Sequence, residues 1–201
     1  PIFQFGGGGE DHNPWNFTTY GVSGFTQDTL DAFVRYATLH TRLFPTFYSL
    51  AVTSHTTGVP GLLPVGLAFP DAGQHPHDAF MVGDALLVAP VETEGATSRE
   101  VVFPPGEWIH WWRGSAHSGT ETINAPLGEG PLFQRAGTTV ALVRENIQTL
   151  APSTTSNSWF EEAGTLTLQT VPGEGEDFVL HDGTRLTTLT DGLSIEAGDL
   201  Y

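Results

Sequence analysis

A chain of 201 residues makes one large domain or two small ones, and 39% hydrophobic against 15% charged residues, with 24 glycines and 14 prolines, suits a turn-rich β protein better than a helical bundle. The 7 Lys+Arg, all of them arginine, stand against 23 Asp+Glu for a net charge of −16, which argues against nucleic acid and anionic membrane surfaces as partners. Zero cysteine excludes disulfides, thiolate metal sites and cysteine nucleophiles, and no stretch approaches the roughly 20 apolar residues of a membrane-spanning helix.

The chain opens at Pro1 without a methionine, so it is expected to be a piece of a longer polypeptide. Pro1 to Phe5 read as a short strand that Gly6 to Gly9 end, and the following loop carries Glu10, Asp11, His12, Asn13, Pro14 and Trp15. The four glycines lack the spacing, lysine and following helix of a phosphate cradle. Thr26 or Asp28 caps a helix in which Leu30, Phe33, Val34, Ala37, Phe44, Phe47, Tyr48 and Ala51 recur at helical spacing until Gly58. Pro45 inside it removes a backbone donor and presses on the carbonyl of Thr41, which predicts a kink or break. A strand followed by a helix makes one βα unit.

From Val59 the texture changes to short β-prone runs punctuated by Gly, Pro and Asp, and strands are expected at 61–63, 79–82, 85–91, 99–103, 108–112, 121–123, 132–135 and 138–143. Phe80 to Val91 is an almost unbroken apolar run, expected to be one or two strands buried on both faces. Val101 to Phe103, then Pro104, Pro105 and Gly106, then Glu107 to His110 have the order of a hairpin. Ala151 to Ser158 is polar enough for a linker or long loop, and 159–171, 178–180 and 184–189 give further strands, with Asp182-Gly183 as a hairpin turn and Asp191-Gly192 repeating it. Many short strands at this spacing indicate a sandwich.

Taken together, the runs 36–71, 78–112 and 131–142 resemble the C-terminal half of glycoside hydrolase family 31, the family of α-glucosidases and α-xylosidases. Leu43, Phe44, Pro45 and Tyr48 fit its last barrel helix, and Gly83, Asp84, Val88, Ala89, Pro90, Val91, Pro105, Gly106 and Trp108 fit the sandwich behind it. The resemblance implies a mainly β fold, in which β-sandwich domains follow the terminal βα unit of a (β/α)8 barrel. It divides the chain into residues 1–58 (last barrel strand and helix), 59–147 (proximal sandwich) and 148–201 (start of a distal β domain, expected to be incomplete). It also makes the loop after the first strand a substrate-contacting one, with Gln4, His12 and Trp15 as candidate substrate-binding residues. Gln4 and Gly6 occupy places where many members carry arginine and histidine, a departure that points to a different sugar, and His12 does not stand in for the missing histidine. The arginine common before the proline at the start of the sandwich is also replaced, since Leu63 precedes Pro64.

Retaining glycosidases hold two carboxyls about 5–5.5 Å apart. The resemblance places both upstream of this chain, so no catalytic residue is expected in it, and the expected partners are a glycoside or oligosaccharide and the remainder of the barrel. Glu10 and Asp11, adjacent on a glycine loop, are read as solvated. Asp84 is read as satisfying turn amides, and Asp71, His75, His77 and Asp78 share a loop without a scaffold for a metal, so no metal or cofactor is expected. Trp111 and Trp112 can stack on a sugar, but as neighbours on a strand only one would be exposed. The alternative is a non-catalytic carbohydrate-binding or structural sandwich.

Overall fold

In the computed structural model, which describes residues 26–73, 76–160 and 164–198, two helices precede an antiparallel β body. Helix α1 (Gln27–Arg42) begins at a reciprocal cap, in which the Thr29 amide donates to Thr26 Oγ1 and the Thr26 amide to Thr29 Oγ1, each at 3.4 Å. Asp28 in its first turn, and His40 and Arg42 in its last, complement the helix dipole. The chain breaks at Leu43 and resumes as α2 (Phe44–Thr57), with Pro45 in the first turn, where its missing N–H is not needed. The expected break therefore falls two residues before the proline. Helix α2 stops at Gly58, whose left-handed φ of 77° disfavours a side chain.

The strands are β1 (Leu62–Pro64), β2 (Phe80–Val82), β3 (Leu86–Val88), β4 (Ser98–Val102), β5 (Trp108–His110), β6 (Ala116–His117), β7 (Thr120–Asn124), β8 (Leu132–Arg135), β9 (Thr138–Val143), β10 (Leu166–Val171), β11 (Phe178–Val179), β12 (Arg185–Leu189) and β13 (Gly192–Glu196), with a one-turn helix α3 (Val65–Ala68) after β1. One sheet has six strands in the order β1-β2-β3-β8-β5-β6, and β4-β7, β9-β10 and β11-β12-β13 form smaller sheets.

Alternation along the strands gives the large sheet two buried faces. Met81, Leu87, Trp108 and Phe133 point one way and pack with Val101, Phe103 and Ile123 from the β4-β7 layer, forming the sandwich core. Val82, Leu86 and Leu132 point the other way, beneath Leu39 and Leu43 of the helices and beside Val140 and Leu142 of β9. That two-sided burial is why the segment from Phe80 to Val91 reads as unbroken apolar sequence, and it is here two strands of a hairpin turning at Gly83. A third, smaller core gathers Ala141, Leu180 and Leu186 under β10 to β13. β9 joins these regions, pairing with β10 over its whole length from Thr138↔Val171 to Val143↔Leu166.

The expected hairpin across Pro104–Gly106 does not form. β4 pairs with β7 and β5 with β6 and β8, so the two lie in different sheets and the prolines carry the chain across the core between them. Proline lacks the amide that a hairpin ladder would use, and the Trp108 indole N–H fixes the crossing by donating to the Pro104 carbonyl at 2.9 Å. The Asp191-Gly192 turn is also corrected: Leu189 faces Gly192, so Thr190 and Asp191 are the loop and Gly192 opens β13. Asp182-Gly183 does turn the chain between β11 and β12, with Gly183 at φ 84°. The polar stretch 151–158 is a closed loop rather than a spacer, its ends joined by a Thr149–Ser158 bridge and by Ser158 Oγ donating to the Ala151 carbonyl at 2.6 Å.

Candidate functional site

The candidate substrate contacts Gln4, His12 and Trp15, together with Glu10, Asp11 and His75, lie outside the described residues. Of the other acidic and histidine candidates, Asp78 is engaged by Arg99, whose guanidinium reaches its carboxylate at 2.7 Å and its carbonyl at 3.1 Å. Asp84 is exposed in the loop between β2 and β3. Trp111 and Trp112 fall just beyond β5, in a turn rather than a strand, so their side chains are not forced to opposite faces, and both are half-buried.

The described residues instead concentrate polar chemistry where the helices meet the β body. Glu129, in the loop between β7 and β8, receives Arg35 of α1 at 3.2 Å on one oxygen and Arg113 at 3.0 Å on the other. Arg113, then Arg35, hold its carboxyl below the usual carboxylate range. The Arg35 guanidinium lies 5.3 Å from the centre of the Trp112 ring, and Tyr36 meets the same ring edge-on at 5.8 Å. The Tyr36 hydroxyl accepts the Gly130 amide at 2.6 Å, burial pushes its pKa up, and Trp112 Nε1 donates to the Gly130 carbonyl at 3.0 Å. One loop is thus gripped by two successive residues of α1.

Helix α2 is fixed by two buried hydroxyls. Thr46 Oγ1 donates to the Ala141 carbonyl at 2.7 Å and accepts the Ala141 amide at 3.1 Å, serving a strand residue that turns both backbone groups away from β10. Ser49 Oγ donates to the Pro45 carbonyl at 2.8 Å and accepts the His181 amide at 3.0 Å, which ties the last sheet to the same helix. On the β body, His117 bridges Ser115 Oγ at 2.8 Å and Glu121 at 2.9 Å, and the neighbouring His110 is buried with its Nε2 lacking a partner. Burial holds the His110 pKa below its usual value.

Sequence reasoning singled out none of Arg35, Tyr36, Thr46, Ser49 or Glu129. Each has at least one partner ninety or more residues away along the chain, a pairing that no local pattern encodes.

Between α1 and the turn after β5 runs a groove of about 690 Å³, with Leu30 and Val34 on one wall, Trp111 and Trp112 on the other, and Arg42 and Glu145 also lining it. Within the described residues these features hold the two helices firmly to the sandwich, but they do not assemble a pair of catalytic carboxylates.

Residues 58–140 match the model of the glycosyl hydrolase family 31 C-terminal domain. The chain carries the C-terminal domain of glycoside hydrolase family 31. It is 30% identical over 169 residues to Alpha-glucosidase 2 of Bacillus thermoamyloliquefaciens, an alignment covering 82% of this chain and 20% of that protein. Its fold superposes on a family 31 α-xylosidase of Xanthomonas citri with a TM-score of 0.70 at 25% identity, over 92% of this chain and 21% of the other. It also superposes on the cycloalternan-forming enzyme of Listeria monocytogenes, solved with a pentasaccharide substrate, with a TM-score of 0.69 at 25% identity, over 87% and 17%. The chain therefore spans about one fifth of the length of these family 31 relatives, and the segment matching the family model begins where α2 ends.

Proposed function

We propose that this chain is the C-terminal portion of a retaining α-glycoside hydrolase that cleaves O-glycosidic bonds, with both catalytic carboxylates on polypeptide upstream of Pro1. The observation that carries the reading is the alignment with Alpha-glucosidase 2, which spans most of this chain yet only a fifth of the relative. In this reading residues 1–58 close the barrel, 59–147 form the proximal sandwich and 148–201 begin a distal β domain. Gln4, His12 and Trp15 line the sugar site from the last barrel strand and its loop.

Helix α2 supplies the joint. Tyr48 and Val52 lie one turn apart on its outer side and are 48% and 38% exposed, and Val59, just beyond the end of the helix, is 51% exposed. An apolar stripe on a helix whose other side is clamped to the sheet is a seat for neighbouring polypeptide, here the preceding barrel helix and strand.

The test is to purify the complete polypeptide and the 201-residue chain, then follow p-nitrophenyl α-glucoside and α-xyloside hydrolysis with the product anomer read by NMR. Hydrolysis with retention by the complete polypeptide and none by the chain alone is the expected result. An inactive complete polypeptide, inversion, or hydrolysis by the chain alone overturns it.

A further inference from the structure

We propose that the groove between α1 and the turn after β5 binds a neutral oligosaccharide, an assignment that rests on the reading that the complete polypeptide acts on glycosides. At about 690 Å³ it falls within the range of roughly 300–1,000 Å³ typical of small-molecule sites. Its two tryptophans are not equivalent. Trp112 is committed, with its N–H on Gly130 and Arg35 over its ring. Trp111 has only its backbone amide engaged, on the Leu132 carbonyl at 2.8 Å. Its indole nitrogen is not buried and meets no acceptor among the described residues. A half-exposed indole with a free N–H offers an apolar plane for the C–H face of a pyranose and a donor for a hydroxyl at its edge.

The polar lining fits the same ligand. Arg42 contributes a guanidinium whose Nε is buried without a partner, and the exposed Glu145 carboxylate has no described partner. Guanidinium and carboxylate are planar groups that engage two adjacent hydroxyls at once. Asp31 and Glu145 balance Arg35 and Arg42 in charge, so the groove has no net charge with which to attract an anion or a cation. Leu30 and Val34 opposite Trp111 complete an apolar-walled, polar-ended slot.

The experiment is affinity electrophoresis of the complete polypeptide at 4 °C through gels cast with dextran or soluble starch. It is paired with calorimetric titration using isomaltohexaose and maltohexaose. Wild-type protein is expected to be retarded, and W111A and E145A to lose about tenfold in affinity. Because Trp111 packs against the helix core, W111F and thermal unfolding are run alongside, and E145A, at an exposed position, decides if W111A unfolds. Retardation equal to wild type in folded W111A and E145A, or no retardation of wild type in either gel, overturns the assignment. Aryl glycoside hydrolysis by wild type, read separately, decides the glycosidase reading. An active enzyme without retardation loses the groove alone, and groove-dependent retardation without hydrolysis loses the glycosidase reading alone.

Discussion

Replacing Thr46 with valine keeps the shape of the side chain and deletes one oxygen, at a site where that oxygen serves two backbone groups. Thr46 is 3% exposed and Ala141 fully buried, so no water replaces the hydroxyl. The Ala141 amide at 3.1 Å and carbonyl at 2.7 Å both lose their partner. An orphaned buried polar group costs about 1–3 kcal/mol, so T46V should lower unfolding stability by about 2–4 kcal/mol. With a urea slope of about 2 kcal/mol per molar, the midpoint should fall by about 1–2 M with the slope unchanged. T46S keeps the hydroxyl and deletes a methyl, worth about 1 kcal/mol. Urea unfolding followed by far-UV circular dichroism and by tryptophan fluorescence reads both variants. If T46V unfolds within half a molar of wild type, or T46S falls as far as T46V, the hydroxyl is not what fastens α2 to β9.

Three further outcomes follow from the same structure. Burial lowers the pKa of His110 from 6.5, so the unfolded chain binds the proton more readily; its contribution to stability is complete above pH 6.5 and is lost as pH falls below that value toward the folded pKa. Thermal unfolding against pH should show this decline in wild type, and H110F should flatten it; an unchanged slope in H110F would contradict the assignment. Gly137 turns β8 into β9 at φ 80°, and a Cβ there would sit 2.5 Å from the Glu174 carbonyl oxygen, so G137A should destabilise by more than about 1 kcal/mol in urea. E129Q should leave the β strands as protected from hydrogen exchange as before while loosening α1, and added salt should narrow the gap between variant and wild type, because the ion pairs that it removes are partly exposed.

The sequence was most informative where one local rule sufficed. The 3.6 period and the proline between Leu30 and Ala51 predict one helix broken at Pro45, which is two helices meeting at Leu43, and β8 and β9 coincide with the strands expected at 132–135 and 138–143. It failed where a strand's partner is chosen by tertiary packing. Pro104, Pro105 and Gly106 have the composition of a turn, but nothing local reveals that β4 leaves for a second sheet because Val101 and Phe103 complete the core over Phe133. Of the family motif residues, Leu43, Ala89 and Trp108 line those cores, whereas Tyr48, Asp84, Pro105 and Gly106 are exposed. The clamps were not legible: an arginine and a tyrosine in a helix become meaningful only once Glu129 and Gly130 are brought beside them.

The large sheet, apolar on both sides, has a practical consequence for dissecting this protein. What recurs across relatives as a recognisable module starts at residue 58, just after the helices end. A polypeptide begun there would strip Leu39 and Leu43 from over Val82, Leu86 and Leu132, wetting one face of the large sheet. The inherited unit and the folding unit are offset by two helices, and an excised module without them should aggregate rather than fold.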